Sequence, residues 1–273
     1  MIYNRLRERL LSEKLRKEGD EMRLAVISDI HGNAVAFQQA IQDLRDQSPD
    51  RIICLGDIAM RGPQPVECVE LLQSLDPYIV VRGNYDHMFT RFPMKDWKPE
   101  TFKQELALRA IEYDGERLSQ EQQEWLADLP TEGLFEAEGV HVEAYHASPS
   151  SLYSVQYPWA SLDDLDLLHK NEQTELVLFG HVHHAFVRQC KGRTIVNCGS
   201  IGMPFDGDNR ASYAIIDIQN NDIAVQLRRV TYDIERAISI ARESGMPDVK
   251  LFEYALRTAE YPYLETIANL KTV

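Results

Sequence analysis

The run Leu24-Ala25-Val26-Ile27-Ser28-Asp29-Ile30-His31-Gly32-Asn33 passes from four apolar residues straight into an aspartate, a histidine and an asparagine. A short β-branched run ended by polar residues and glycine is the signature of a buried strand and the turn that follows it. Four more stretches repeat the arrangement. Ile52–Leu55 leads into Leu55-Gly56-Asp57, and Tyr78–Val81 into Gly83-Asn84-Tyr85-Asp86-His87. Val140–Tyr145 leads into Tyr145-His146-Ala147-Ser148-Pro149, and Leu176–Phe179 into Gly180-His181-Val182-His183-His184. Ligands collect at the carboxyl ends of strands in open sheets, so five such ends predict one crevice. Oxygen and imidazole donors gathered there suit two divalent cations that share a carboxylate, the outline of a phosphoester-cleaving site.

From Met22 onward strands and helices alternate. Asn33 suits the N-cap of a helix whose apolar face is Phe37, Ala40, Ile41 and Leu44. Pro65 suits the first turn of another, before Val66, Val69 and Leu72. Strand signals vanish over 98–130, where Ser119 and Gln122 make a capping box and Pro130 ends the helix. This helical insertion separates the third and fourth clusters and is expected to wall or lid the site. Further strands are expected at Arg193–Asn197, Ser212–Ile218 and Ile223–Val230, the last two joined at Asn220-Asn221, and helices near Ile234–Arg242 and Val249–Ala259. No linker divides 22–273, which reads as a single domain. Residues 1–21 are charge-dense with a thin leucine stripe and read as a helical extension.

The 273 residues are 44% hydrophobic and 26% charged, ordinary for a globular enzyme. A formal net charge of −14 argues against a general nucleic-acid surface, because that affinity comes from Lys and Arg neutralising phosphates. A small phosphorylated substrate stays compatible, since bound cations would dominate the local field. The four cysteines, Cys54, Cys68, Cys190 and Cys198, show no paired spacing, and structural disulfides are not expected. With no signal-peptide core and no apolar run long enough for a bilayer, a cytoplasmic protein without membrane contact is expected. The acidic run Asp163-Asp164-Leu165-Asp166 after Ser161 reads as a first helical turn, and Gly199-Ser200-Ile201-Gly202 is not a serine-hydrolase elbow.

Taken together, the clusters resemble the calcineurin-like metallophosphoesterase superfamily, whose motifs run D-x-H, GD, GN-x-[DE], H and GH-x-H in this order. The remainder is similar to a small bacterial and archaeal phosphoesterase group likened to diadenosine tetraphosphatases. That closer match rests on Pro63-Gln64-Pro65, His146-Ala147-Ser148-Pro149, and Asn197-Cys198-Gly199-Ser200 followed by Arg210-Ala211-Ser212-Tyr213. The resemblance implies an α/β fold of two packed mixed β-sheets flanked by helices. It implies one metal on Asp29, His31 and His183, a second on Asn84, His146 and His181, and Asp57 bridging both. Asp57, Asn84 and His146 would then serve catalysis, with Arg61, Asn84 and His87 toward the substrate and Asp86 supporting a ligand from behind. Imidazole-rich sites favour Mn²⁺, or Fe, Zn, Ni and Co, over Mg²⁺.

Departures from relatives narrow the expectation. Gly56-Asp57-Ile58-Ala59-Met60-Arg61-Gly62 has Met60 where protein phosphatases carry a second aspartate, and Tyr85 replaces the histidine that protonates their leaving group. The group usually has proline where this chain has Cys198, which would place a thiol near the metals. His184 reads as a neighbour of the ligands. The expected activity is hydrolysis of phosphodiester, pyrophosphate-linked or small phosphomonoester substrates by a metal-bridging hydroxide. The alternatives are a protein or nucleotide phosphomonoesterase with the same site, and a non-catalytic scaffold that retains the fold.

Overall fold

A computed structural model describes residues 21–94 and 97–264. The expected N-terminal extension therefore lies outside the described residues, apart from Glu21. Strand β1 (Met22–Ile27) is buried on both sides, which explains its unbroken apolar run. Successive side chains alternate across it: Leu24 and Val26 join one core, Ala25 and Ile27 another. A fully buried side chain of the Leu or Val class contributes roughly 1.5–3 kcal/mol, so slipping this strand by one residue would be costly.

The first sheet has the order β10 (Asp222–Val230), β9 (Ala211–Gln219), β1, β2 (Arg51–Cys54) and β3 (Ile79–Val80). Its β1, β2 and β3 are parallel, and β9 and β10 form an antiparallel hairpin against β1. The second sheet has the order β4 (Glu132–Ala137), β5 (Val140–Tyr145), β6 (Leu176–Phe179), β8 (Arg193–Cys198) and β7 (Ala185–Cys190). Here β5, β6 and β8 are parallel and both edge strands are antiparallel. Leu24, Val26, Leu55, Leu176, Leu178, Val196 and Ile216 fill the space between the sheets. Helices α1 (Ala34–Gln47), α2 (Pro65–Ser74), α3 (Phe102–Gly115), α4 (Gln120–Asp128), α6 (Ile234–Glu243) and α7 (Val249–Thr258) pack on the outer side of the first sheet. The short α5 (Leu162–Asp166) helps cover the second. Two mixed sheets flanked by helices are thus the architecture the sequence implies.

Local signals act where the sequence places them. Asn33 Oδ1 accepts the Ala36 N–H at 3.1 Å and caps α1, and Phe37, Ala40, Ile41 and Leu44 are buried. Both arms of the Ser119–Gln122 capping box are present at α4. Asn220 and Asn221 take φ of 50° and 66°, the mirror-image turn that matches strand twist in a two-residue hairpin. Strands β4 and β7 are the elements the sequence conceals. Both are edges, and in β4 Leu134 is half exposed while Gly133 faces inward, so the usual apolar alternation is lost. Among the described residues no helix is long and apolar enough to cross a membrane.

Candidate metal centre

The loops that leave β1, β2, β3, β5 and β6 meet at one edge of the sandwich. Asp29, His31, Asp57, His181 and His183 have φ of 53°, 49°, 52°, 67° and 56°, the left-handed region that ordinary residues avoid. Each costs roughly 1–3 kcal/mol and persists only where its surroundings over-determine it. Loop-to-loop hydrogen bonds do so here. The N–H groups of Asp29, His31 and Gly32 donate to the carbonyls of Gly56, Asp57 and Ile58, each at 3.0 Å. Buried Asp86 accepts the N–H groups of Asp57 (2.7 Å), Gly83 (2.9 Å) and Ile58 (3.1 Å). Asp86 therefore supports the candidate ligand Asp57 from behind, through its backbone N–H. A Cβ on Gly83 would sit 2.0 Å from Asp57 Oδ1, so only glycine permits that approach.

Two trios of donors result, Asp29, His31 and His183 beside Asp57, His146 and His181, and within each trio the donor atoms lie within 4.8 Å of one another. Asn84 Oδ1 lies 3.0 Å from His146 Nε2, and His181 Nδ1 lies 3.2 Å from the same atom. Asp57 Oδ2 stands 3.4 Å from His146 Nε2 and 3.7 Å from His31 Nε2, so one oxygen faces both trios.

The donor chemistry fits cations. His31 Nδ1 lies 3.1 Å from Met60 O, His146 Nδ1 lies 2.8 Å from Leu55 O, and His183 Nδ1 meets Met203 O. A carbonyl only accepts, so each Nδ1 holds a proton, and once Nε2 gives up any proton of its own its lone pair points inward at the cluster. Asp29 Oδ2 accepts from Ser28 Oγ (2.6 Å) and His181 N–H (3.0 Å), while its buried Oδ1 has no hydrogen-bond partner. Buried acceptors facing one another are unfavourable until positive charge fills the space. The titrating groups report the same demand. Burial disfavours the charged form of His146, yet Asp57 and Asp29 pull its pKa up to about 9. Burial and the neighbouring His146 hold His181 at about 3.

Flanking residues support this cluster. Arg61 is buried, not the solvated loop arginine that sequence alone allows. Its Nη2 donates to Tyr85 Oη at 2.8 Å, and its guanidinium lies 4.8 Å from the Tyr85 ring and 4.5 Å from that of Tyr263. Tyr85 N–H donates to Asp57 Oδ1 at 2.8 Å. His87 stands apart: among the described residues its ring makes no hydrogen bond to the cluster, and burial with the charges of Arg82 and Arg91 lowers its pKa. Helix α3 is a wall and not a lid, since Asp114 accepts the Met60 N–H at 2.6 Å and Tyr113 donates to Pro63 O at 2.9 Å from the core side. Cys198 lies in the inter-sheet core, where burial raises its thiol well above the ordinary range, so it is a packing residue. Its neighbours Asn197 and Ser200 do the bracing, donating to Gly180 O (2.7 Å) and Asp29 O (2.7 Å). Sequence reasoning missed Phe205, which stacks on His183 at 4.2 Å, and Tyr263, because neither belongs to a motif.

Comparison with known proteins agrees with this geometry. The chain is 31% identical over 240 residues to an uncharacterized protein of Methanocaldococcus jannaschii, covering 82% of this chain and 94% of that one. A metallophosphoesterase crystal structure from Sphaerobacter thermophilus is similar at 29% identity and TM-score 0.69, covering 88% of this chain and all (100%) of that chain. A hypothetical protein from Pyrococcus horikoshii shares the fold at TM-score 0.76 and 20% identity, over 87% of this chain and 98% of that one. The pattern of the calcineurin-like phosphoesterase superfamily domain matches residues 22–221. With that match spanning most of the sequence, the chain belongs to the calcineurin-like phosphoesterase superfamily and is a metal-dependent hydrolase of phosphoric ester bonds.

Proposed function

We propose that this protein hydrolyses phosphodiester, pyrophosphate-linked or small phosphomonoester substrates with two divalent transition-metal ions, Mn²⁺ foremost. Asp29, His31 and His183 would hold one ion, Asn84, His146 and His181 the other, and Asp57 would lie between them. The observation that carries this reading is the set of inward-facing donor atoms, with Asp29 Oδ1 buried, without a hydrogen bond and 3.2 Å from His183 Nε2, and three imidazoles fixed by carbonyls at Nδ1. When bound, such a pair of ions neutralises phosphoryl charge and acidifies water. Arg61 would hold a non-reacting phosphate oxygen, since its buried Nε has no hydrogen-bond partner and its Nη2 is positioned by Tyr85. Asn84 would contact the substrate as well as a metal.

A net charge of −14 favours a small substrate over a nucleic-acid polymer. Four free, buried cysteines accord with a reducing cytoplasm. The scaffold alternative is disfavoured because a scaffold would not need a full set of inward donors. Chelated protein reloaded with Mn²⁺, Co²⁺, Ni²⁺ or Mg²⁺ and assayed on bis-p-nitrophenyl phosphate and p-nitrophenyl phosphate tests the proposal. Transition metals should restore far more turnover than Mg²⁺, whose preference is for oxygen ligands. Failure to take up metal, or inertness toward both esters, would refute it.

A further inference from the structure

The segment between β5 and α5 carries aromatic surface that metal binding does not require. Tyr153 and Trp159 are 60% and 72% exposed, in the stretch that follows His146. The segment is nevertheless held in shape. Ser148 Oγ bridges Ser151 O (3.2 Å) and Ser154 Oγ (3.0 Å), and Ser151 Oγ accepts the Tyr153 N–H at 3.0 Å. Arg188 Nη1 donates to both Pro158 O (2.5 Å) and Ala160 O (3.3 Å), clamping the backbone on either side of Trp159. The Tyr157 ring stacks on Trp159 with centroids 4.9 Å apart and planes 13° from parallel. His184, next to His183, sets its edge against Tyr157 at 5.2 Å and Trp159 at 5.7 Å. Tyr261 meets Phe205 edge-on at 5.5 Å, and Phe205 stacks on His183, so aromatic rings continue from the ligand cluster outward.

Exposed apolar surface in a pinned conformation beside a polar site marks a place where a ligand is covered. One face of Trp159 is taken by Tyr157, which leaves the other for a flat partner. Every nucleobase offers a π-face, and stacking on an aromatic side chain is worth roughly 1–3 kcal/mol per base. We infer that the outer face of Trp159, with His184 beside it, is a subsite for the base of a mononucleotide whose phosphate lies at the metal centre. The inference rests on the phosphoester reading of that centre. The acidic surface makes a free nucleotide the fitting ligand, because a polymer would need Lys and Arg along its path.

Binding of AMP and of ribose 5-phosphate to the Mn²⁺-loaded full chain compares a base with its absence at constant phosphate. AMP should bind at least about fivefold more tightly, the lower end of a stacking contribution, and should quench tryptophan fluorescence. Trp159→Ala should erase that advantage while metal content, circular dichroism and ribose 5-phosphate affinity stay unchanged. Equal affinities in the wild type, absent AMP binding, or an advantage that survives Trp159→Ala would overturn the subsite. So would a Trp159→Ala variant whose native mass falls while its AMP affinity is kept, which would make the patch a subunit contact. A wild type that prefers AMP through Trp159 but hydrolyses no phosphoester keeps the subsite and rejects the hydrolytic reading. A hydrolase indifferent to the base does the reverse.

Discussion

His31 and His183 point their Nε2 atoms at each other across 3.1 Å, while Nδ1 of each is tied to a carbonyl, Met60 O and Met203 O. With each Nδ1 proton committed to a carbonyl, the two facing Nε2 atoms are the positions left to a cation. A cation turns this opposition into chelation. Loading with Mn²⁺ should therefore raise thermal stability, by about 2.7 kcal/mol per occupied site at a free concentration a hundred times Kd. His183→Ala should lower metal content from near two per chain toward one, read by elemental analysis. An unchanged content would refute the trio around Asp29.

Asp57 Oδ2 faces both trios, so its charge serves both proposed ions. Asp57→Asn keeps the shape and removes the charge. Turnover of bis-p-nitrophenyl phosphate should fall to background and metal occupancy should drop, with the far-ultraviolet circular dichroism retained. Full activity in this variant would refute the bridging role.

The metal-free protein should show a specific pH dependence. Asp57 and Asp29, working against burial, raise His146 from 6.5 to about 9. A raised value in the folded state means that folding favours the protonated ring. That stabilisation is complete below about pH 6.5 and is lost as pH rises through about 9. The melting temperature of chelated protein should accordingly fall between those limits, and the fall should vanish in His146→Asn. Metal must displace the same proton, so metal affinity should rise over the interval, by up to about tenfold per pH unit. A chelated wild type whose melting temperature climbs instead would contradict the assignment.

Arg61 is held by two tyrosine rings and one hydroxyl. A hydrogen bond to a charged group contributes about 1.5–3 kcal/mol, so Arg61→Ala should reduce kcat/KM by roughly 10- to 150-fold. Tyr263→Ala removes one ring and should raise KM by a smaller factor, about three- to tenfold, with metal content unchanged. Steady-state kinetics on bis-p-nitrophenyl phosphate would show whether the two variants rank in that order.

Tyr85 stands where related phosphatases have a leaving-group acid, and its hydroxyl is engaged by Arg61. A phenol is a weaker proton donor to a departing oxygen at neutral pH than an imidazolium. Rates across esters of rising leaving-group pKa should fall steeply in the wild type and less steeply in Tyr85→His. His87→Ala should leave the slope unchanged. A shallow wild-type slope that steepens in His87→Ala would make His87 the acid.

The strand ends and the candidate ligands beyond them were legible in the sequence because burial on both faces leaves unbroken apolar runs, as in Leu24–Ile27 and Leu176–Phe179, and polar residues at their ends break the run. The helix caps at Asn33 and Ser119 and the Asn220-Asn221 turn were equally legible, since each acts through neighbours a few residues away. Local pattern could not reach further. Strands β4 and β7 stayed hidden because their sequences lack strict apolar alternation, unlike the edge strand β10, where Ile223, Val225 and Leu227 recur at every second position. Whether Arg61 is solvated or buried depended on Tyr263, some two hundred residues away, and that Asp86 supports Asp57 through its backbone depended on how the loops cross. The tertiary structure alone decided that five of the candidate ligands adopt left-handed backbone, because only hydrogen bonds between separate loops can hold residues in a conformation their own side chains disfavour.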